Sequence, residues 1–156
     1  MLNQERNDQV NMCNAEIIIC TESGGLESLS KCLVSSLRRF GGKYKDIPIV
    51  SYQPRKDYKI SAETKKFFEN NDVEFIDLDL NKHYSNYQLA NKPIVCAHRE
   101  SNSSADILIF MDSDIFFINE PEGMINFGDA DVIVRPSDYK TIATNNRGDR
   151  NNFYWD

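Results

Sequence analysis

Asp112-Ser113-Asp114 is the stretch of this 156-residue sequence best equipped to do chemistry. Its two carboxylates stand one residue apart, directly after the apolar run Ile107-Leu108-Ile109-Phe110-Met111. Like charges that close repel strongly where solvation is poor, so placing both at a strand end is costly. A divalent cation relieves the repulsion. Mg²⁺ or Mn²⁺ commonly takes one or two carboxylates and completes its shell with water and phosphate oxygens, so the pattern fits a metal–diphosphate site. The plainer alternative is that both aspartates cap a turn by accepting backbone N–H bonds. An isolated Asp-x-Asp favours that alternative, because so short a motif recurs by chance. The apolar run before it and the order of elements upstream reverse the balance.

Those elements read as follows. Residues 1–14 are polar and expected to be disordered, leaving 15–156 as one domain. Glu16 to Cys20 predicts a strand, apolar without alternation, as strands covered on both faces are. After the loop Thr21 to Gly25, Leu26, Leu29, Leu33, Leu37 and Phe40 recur at three- and four-residue spacing, predicting an amphipathic helix. Gly41-Gly42 stops it, glycine accepting the left-handed conformation without steric cost. Ile47 to Ser51 predicts a second strand, Ser61 the N-cap of a helix burying Phe67 and Phe68, and Val73 to Leu78 a third strand. Pro93 suits an early helical position, with the helix running to about Asn102. Ile107 to Met111 is the fourth strand, expected to be buried, and Ile115–Ile118 and Asp131–Val134 are two further short ones.

Strands alternating with helices imply an α/β domain with a mostly parallel, Rossmann-like sheet. The commonest right-handed arrangement puts the first strand centrally, strands two and three on one side and strand four on the other. The loops after strands one and four, Thr21 to Gly25 and Asp112 to Asp114, then meet at the switch point where such sheets bind ligands.

The run from Ala105 to Pro121, centred on Asp112-Ser113-Asp114, resembles the Asp-x-Asp segment of GT-A-type glycosyltransferases, and a looser similarity extends from about Glu16 to about Pro136. The resemblance implies a GT-A-like domain and a sugar donor linked to a nucleoside diphosphate, UDP or GDP, from which the sugar passes to an unknown acceptor. It implies Mn²⁺ or Mg²⁺ bound by Asp112 and Asp114, with Asp114 the direct ligand and Asp112 on the ribose side. Thr21, Glu22, Lys92 and Ser113 join Asp112 as the implied nucleotide contacts. For Lys92 the ligand-facing and solvent-facing readings are evenly balanced; for Arg99 the solvent face is favoured. No catalytic residue can be named. GT-A domains are usually longer, and only about 40 residues follow Asp114 against the 100 to 200 of a typical domain. The aromatic ending Phe153-Tyr154-Trp155 reads as the start of another buried element, so the chain is expected to be either a truncated product or a half-domain that lacks the acceptor part and needs a partner. Exposed apolar surface on such a half would give it a reason to pair as a homo-oligomer.

Composition narrows the alternatives. Eighteen basic residues against 24 acidic ones, a net charge of −6, argue against tracking nucleic acid. The first residues are too polar for a signal peptide, and no apolar run approaches a membrane span. Cys13, Cys20, Cys32 and Cys96 form no C-x-x-C pair and read as buried free thiols, which suggests the cytoplasm. His83 lies in a poorly patterned Tyr-rich stretch and could approach the site, whereas His98 reads as a satisfied structural histidine. Arg135-Pro136 closes the last short strand, with the arginine favoured at the surface. A haloacid-dehalogenase-type phosphatase would carry Asp-x-Asp early in the chain, and P-loop or dinucleotide-binding domains would need glycine motifs missing here. The serious competitor is a catalytically silent nucleotide-sugar-binding or interaction module.

Overall fold

The computed structural model describes residues 14–126 and 128–134. The chain divides into two compact units, Met1–Ile125 and Asn126–Asp156, and every element below belongs to the first. In order these are β1 (Ala15–Cys20), α1 (Gly25–Phe40), a 3₁₀ turn (Gly42–Tyr44), β2 (Ile49–Gln53), α2 (Ala62–Asn70), β3 (Val73–Asp77), a second 3₁₀ turn (Gln88–Ala90), α3 (Asn91–Glu100) and β4 (Ile107–Phe110). The four strands form one parallel sheet in the order β3-β2-β1-β4, the Rossmann-like arrangement expected from the sequence.

β1 is central because it has two faces to hide. Ile17 and Ile19 pack with Leu33, Val34 and Leu37 of α1 and Phe68 of α2, while Ile18 packs with Val50, Tyr52 and Val95 of α3. All three isoleucines are fully buried, and each contributes about 1.5–3 kcal/mol by leaving water.

Local chemistry sets the helix ends. Gly24, at φ 97°, caps α1 in a conformation that side chains rarely adopt. The glycine pair at the other end divides its labour. Gly41 stays right-handed and donates to the Leu37 carbonyl, while Gly42 takes the left-handed turn with the Glu120 side chain where a Cβ would stand. Ser61 caps α2 by accepting from the Thr64 N–H at 3.2 Å. α3 begins two residues before Pro93, so the missing proline N–H falls in the first turn, where donors have no intrahelical partner.

Several expectations are corrected. Ile115–Ile118 is not a strand. It runs beside α1, with Phe117 buried and its N–H donated to Ser36 Oγ at 3.0 Å, and with Phe116 6.5 Å from the Phe40 ring. A side-chain hydroxyl satisfies the backbone donor that a neighbouring strand would have taken. Asp131–Val134 also forms no strand, and Val132, Ile133 and Val134 are exposed. β4 is only half-buried, because it pairs with β1 alone among the described residues. Arg99 does not face solvent: β1 turns Glu16 toward α3, and Arg99 answers it at 2.6 Å while reaching Glu74 at 3.1 Å. Cys32 is exposed on α1 rather than buried, Cys20 and Cys96 are half-buried, and all three are free thiols. Residues 1–13, Arg135-Pro136 and the aromatic ending lie outside the described residues. Among the described residues, no helix is long and apolar enough to cross a membrane.

Glu27 joins the starts of α1 and α2. Its carboxylate accepts from the Ser61 N–H at 2.9 Å, Ser61 Oγ at 2.6 Å, Thr64 Oγ1 at 2.5 Å and the Gly24 N–H at 3.4 Å. Burial pushes its carboxyl up, but the hydrogen bonds from Ser61, Thr64 and Gly24 outweigh that and hold it at about 2. A depressed folded-state value makes the contribution full above the ordinary carboxyl range and lost as pH falls toward about 2. Glu27→Ala should therefore lower stability by about 1 kcal/mol near neutral pH, the cost of a lost cap. Urea denaturation over a pH series should show the gap between variant and wild type closing with acid. A gap independent of pH would show that the carboxylate charge plays no part.

Candidate functional site

β1 and β4 are parallel neighbours, and the turn after β4 is tied back to β1. The Met111 N–H donates to the Ile18 carbonyl at 2.9 Å, extending the strand pairing by one step. The Ile115 N–H then donates to the Asp112 carbonyl at 3.1 Å, closing a turn with Ser113 and Asp114 at its centre. Ser113 is buried, and its hydroxyl donates to the Cys20 carbonyl at 2.6 Å, pinning the turn to the end of β1. With Ser113 held inward, the carboxylates on either side stay in contact with solvent.

A pocket of about 230 Å³ opens at this point. It is lined by Cys20, by Leu26 and Leu29 of α1, by Gln88, Leu89, Asn91 and Lys92, and by Phe110 to Asp114. Leu29 belongs to the apolar stripe of α1 yet is 40% exposed, because it walls the pocket instead of the core. Lys92 Nζ lies 2.5 Å from Asp112 Oδ1, with both side chains about half exposed. The Asp114 carboxylate makes no ion pair or hydrogen bond with the described residues. The Cys20 thiol is pushed up to about 12 by burial first and then by the charges of Glu22, Cys96 and Asp112. Burial disfavours the thiolate, the form in which a cysteine is nucleophilic.

A second pocket of about 300 Å³ adjoins the first through Leu26, Leu29 and Gln88. Glu22, Arg55 and Tyr58 line it. Glu22 is 1% exposed and takes Arg55 Nε at 2.9 and 3.0 Å and Nη2 at 2.5 Å. Arg55 also donates to the Ser85 carbonyl at 2.8 Å and stacks 3.7 Å from the centre of the Tyr58 ring.

The residues singled out from the sequence therefore separate. Lys92, Asp112, Ser113 and Asp114 meet at one pocket. Glu22 lines the next one, with its carboxylate committed to Arg55. Thr21 lines neither: fully buried, its hydroxyl is shared with Ser30 at 2.7 Å and Ser51 at 2.8 Å, holding α1, β1 and β2 together. His83 is exposed and lines neither pocket. His98 is structural, its Nδ1 3.0 Å from the Tyr52 hydroxyl.

Sequence reasoning missed Arg55, Gln88 and the Asn81–Asn91 pair. Asn81, 1% exposed, donates to Asn91 Oδ1 at 2.7 Å and accepts the Tyr84 N–H at 3.1 Å, so it fixes the Tyr-rich loop to the start of α3. Arg55 had one available signal: it follows β2, which ends at the same edge of the sheet as β1.

The donors that Asp112 and Asp114 offer are carboxylate oxygens, which suit a hard cation such as Mg²⁺ or Mn²⁺. Among the described residues, no three of His, Cys, Asp and Glu gather where they could hold a metal. The protein could thus supply two ligands at this turn, leaving the others to water and phosphate. The ammonium of Lys92 beside Asp112 marks the place as one that already holds positive charge.

Residues 17–156, nearly the whole chain, match the family described as Rhodobacterales glycosyltransferase domain. No curated protein matches the chain, and no solved structure matches it.

Removing Arg55 alone would strand a buried carboxylate. Arg55→Ala should destabilise the protein by about 3–5 kcal/mol, the usual cost of leaving a buried charge unpaired. Arg55→Met combined with Glu22→Gln should recover much of that loss in urea denaturation. A double variant no more stable than Arg55→Ala would show that packing, rather than charge pairing, dominates here.

Proposed function

This chain belongs to the Rhodobacterales glycosyltransferase domain family, and from that premise we propose that it is a GT-A-like, metal-dependent enzyme using a nucleoside-diphosphate sugar. One observation carries the reading. The Asp112-Ser113-Asp114 turn stands at the switch between β1 and β4, anchored by Ser113, with both aspartates and Lys92 on one pocket.

In this reading Asp114, unpaired among the described residues, is the principal metal ligand. Asp112 would face the ribose side and share the metal, and Lys92, on the same pocket, would pair with the diphosphate. Ser113 is a positioning residue: with its hydroxyl spent on the Cys20 carbonyl, it keeps the two carboxylates from collapsing into the sheet. Leu26, Leu29, Phe110 and Met111 give the pocket its apolar lining. The bond from the anomeric carbon to the diphosphate oxygen breaks, and a new one forms to a nucleophilic atom of the acceptor. When bound, the cation supplies Lewis-acid stabilisation of the departing diphosphate. UDP and GDP are the donors to test first. The free thiols of Cys20, Cys32 and Cys96 accord with a reducing, cytoplasmic setting.

One observation favours a catalytically silent nucleotide-sugar-binding module instead. Besides Asp112 and Asp114, the first pocket is lined by no histidine or carboxylate that could serve as a general base, among the described residues.

Thermal unfolding with UDP, GDP and CMP, each with and without Mn²⁺, tests the binding claim. The wild type should gain stability only when nucleotide and Mn²⁺ are both present, by about 2.7 kcal/mol at a hundredfold excess over Kd. Asp114→Ala should lose that gain while melting normally without ligand. A variant that keeps the wild type's Mn²⁺-dependent gain would refute the assignment. Sugar transfer or hydrolysis by the wild type then separates the enzyme from the silent module.

A further inference from the structure

We propose that Lys92 acts as an internal counter-ion for Asp112, tying the protein's affinity for the divalent cation to the presence of the diphosphate. The inference rests on the metal–diphosphate reading above and extends it to how the site is loaded.

The charge count at the turn is the starting point. Asp112 and Asp114 bring two negative charges, and Lys92, with its ammonium 2.5 Å from Asp112, cancels one of them. Among the described residues, a cation reaching the site alone meets a single unpaired carboxylate, that of Asp114. It also meets a like charge beside the second carboxylate. To use Asp112 it must turn Lys92 out into water, leaving the ammonium without a partner. With a diphosphate in the pocket the exchange becomes symmetrical. Lys92 moves from one anion to another, and Asp112 is released to the cation with no charge left unpaired.

The surroundings allow that exchange without rearranging the fold. Asp112 is held from below by the Ser113–Cys20 hydrogen bond. Lys92 stands beside Asn91, which is 3% exposed and locked to Asn81 at 2.7 Å. Both backbones are therefore fixed, and only a flexible four-carbon stem has to swing. The lysine side chain is 40% exposed, so it has room to do so. The result is a coupling between two ligands, and linkage requires it to be reciprocal: the diphosphate raises cation affinity by the same factor as the cation raises diphosphate affinity.

The test measures Mn²⁺ binding by the full chain through the electron paramagnetic resonance signal of free Mn²⁺, alone and with pyrophosphate. Pyrophosphate is chosen because it carries the diphosphate without any commitment to base or sugar. Lys92→Met, neutral and of similar length, should bind Mn²⁺ alone about five- to tenfold more tightly than wild type, the scale expected for one partly solvated charge. Its gain on adding pyrophosphate should be correspondingly smaller. Lys92→Arg, which keeps the charge, should resemble wild type, and circular dichroism melts confirm that each variant folds. Lys92→Gln serves as the second neutral variant.

Cation affinity unchanged or weakened in both neutral variants overturns the proposal, as does Lys92→Arg behaving like Lys92→Met. If that happens while pyrophosphate still promotes Mn²⁺ binding in wild type and not in Asp114→Ala, the counter-ion role alone falls. If wild type binds no Mn²⁺ even with pyrophosphate, the metal–diphosphate reading falls and takes the proposal with it.

Discussion

Ile17, Ile18 and Ile19 turn apolar side chains to both faces of the sheet, and such a strand is stable only with cover on both sides. That requirement organises everything else described. α1 and α2 must lie on one face and α3 on the other, so the connections cross from side to side. The strand order β3-β2-β1-β4 follows, with its change of winding direction beside β1. A crevice at that edge is a consequence of covering β1 twice. The pocket thus owes its position to hydrophobic burial elsewhere, and its chemistry to the few polar residues at the strand ends.

Those polar residues do different jobs at small separations along the chain. Thr21 and Glu22 follow β1 directly and are almost wholly buried, with hydroxyl and carboxylate satisfied inside the protein. Ser113 is likewise satisfied internally, but it lies between two aspartates that are not buried. Buried polar groups with full hydrogen bonding hold a loop still, and exposed ones beside them remain available to a ligand. Thr21, Glu22 and Ser113 make the frame, and Asp112, Asp114 and Lys92 make the working edge.

The parts of this arrangement that depend on local pattern were readable in the sequence. The isoleucine run, the leucine spacing of α1, the Ser61 cap and the turn after Met111 each follow from neighbouring residues alone. Strand order followed from handedness rules once the strands were placed. What could not be read depends on partners far away in the chain. Arg99 is drawn from solvent by Glu16, and Thr21 is withdrawn from the pocket by Ser51; neither partner is near in sequence. Ile115–Ile118 has the composition of a strand, yet Ser36 intercepts its backbone, and no periodicity announces that. At the site, the carboxylate pair and Lys92 were legible as residue types, whereas Gln88, Asn91 and Arg55 enter through the fold.

The pairing of β1 with β4 has a kinetic meaning as well. The hydrogen bond from Ser113 to Cys20 joins residues 93 apart in the chain, whereas the register of β1 with β2 joins much closer ones. Closing a loop costs entropy that grows with the logarithm of its length, and non-local contacts repay it only once formed. Of the three strand pairings, this one is the most strongly resisted by chain entropy. During synthesis, β1, β2 and β3 with their helices can assemble while β4 is still unmade. A sheet with its core in place but without its acidic turn is therefore a natural stage on the way to the finished molecule.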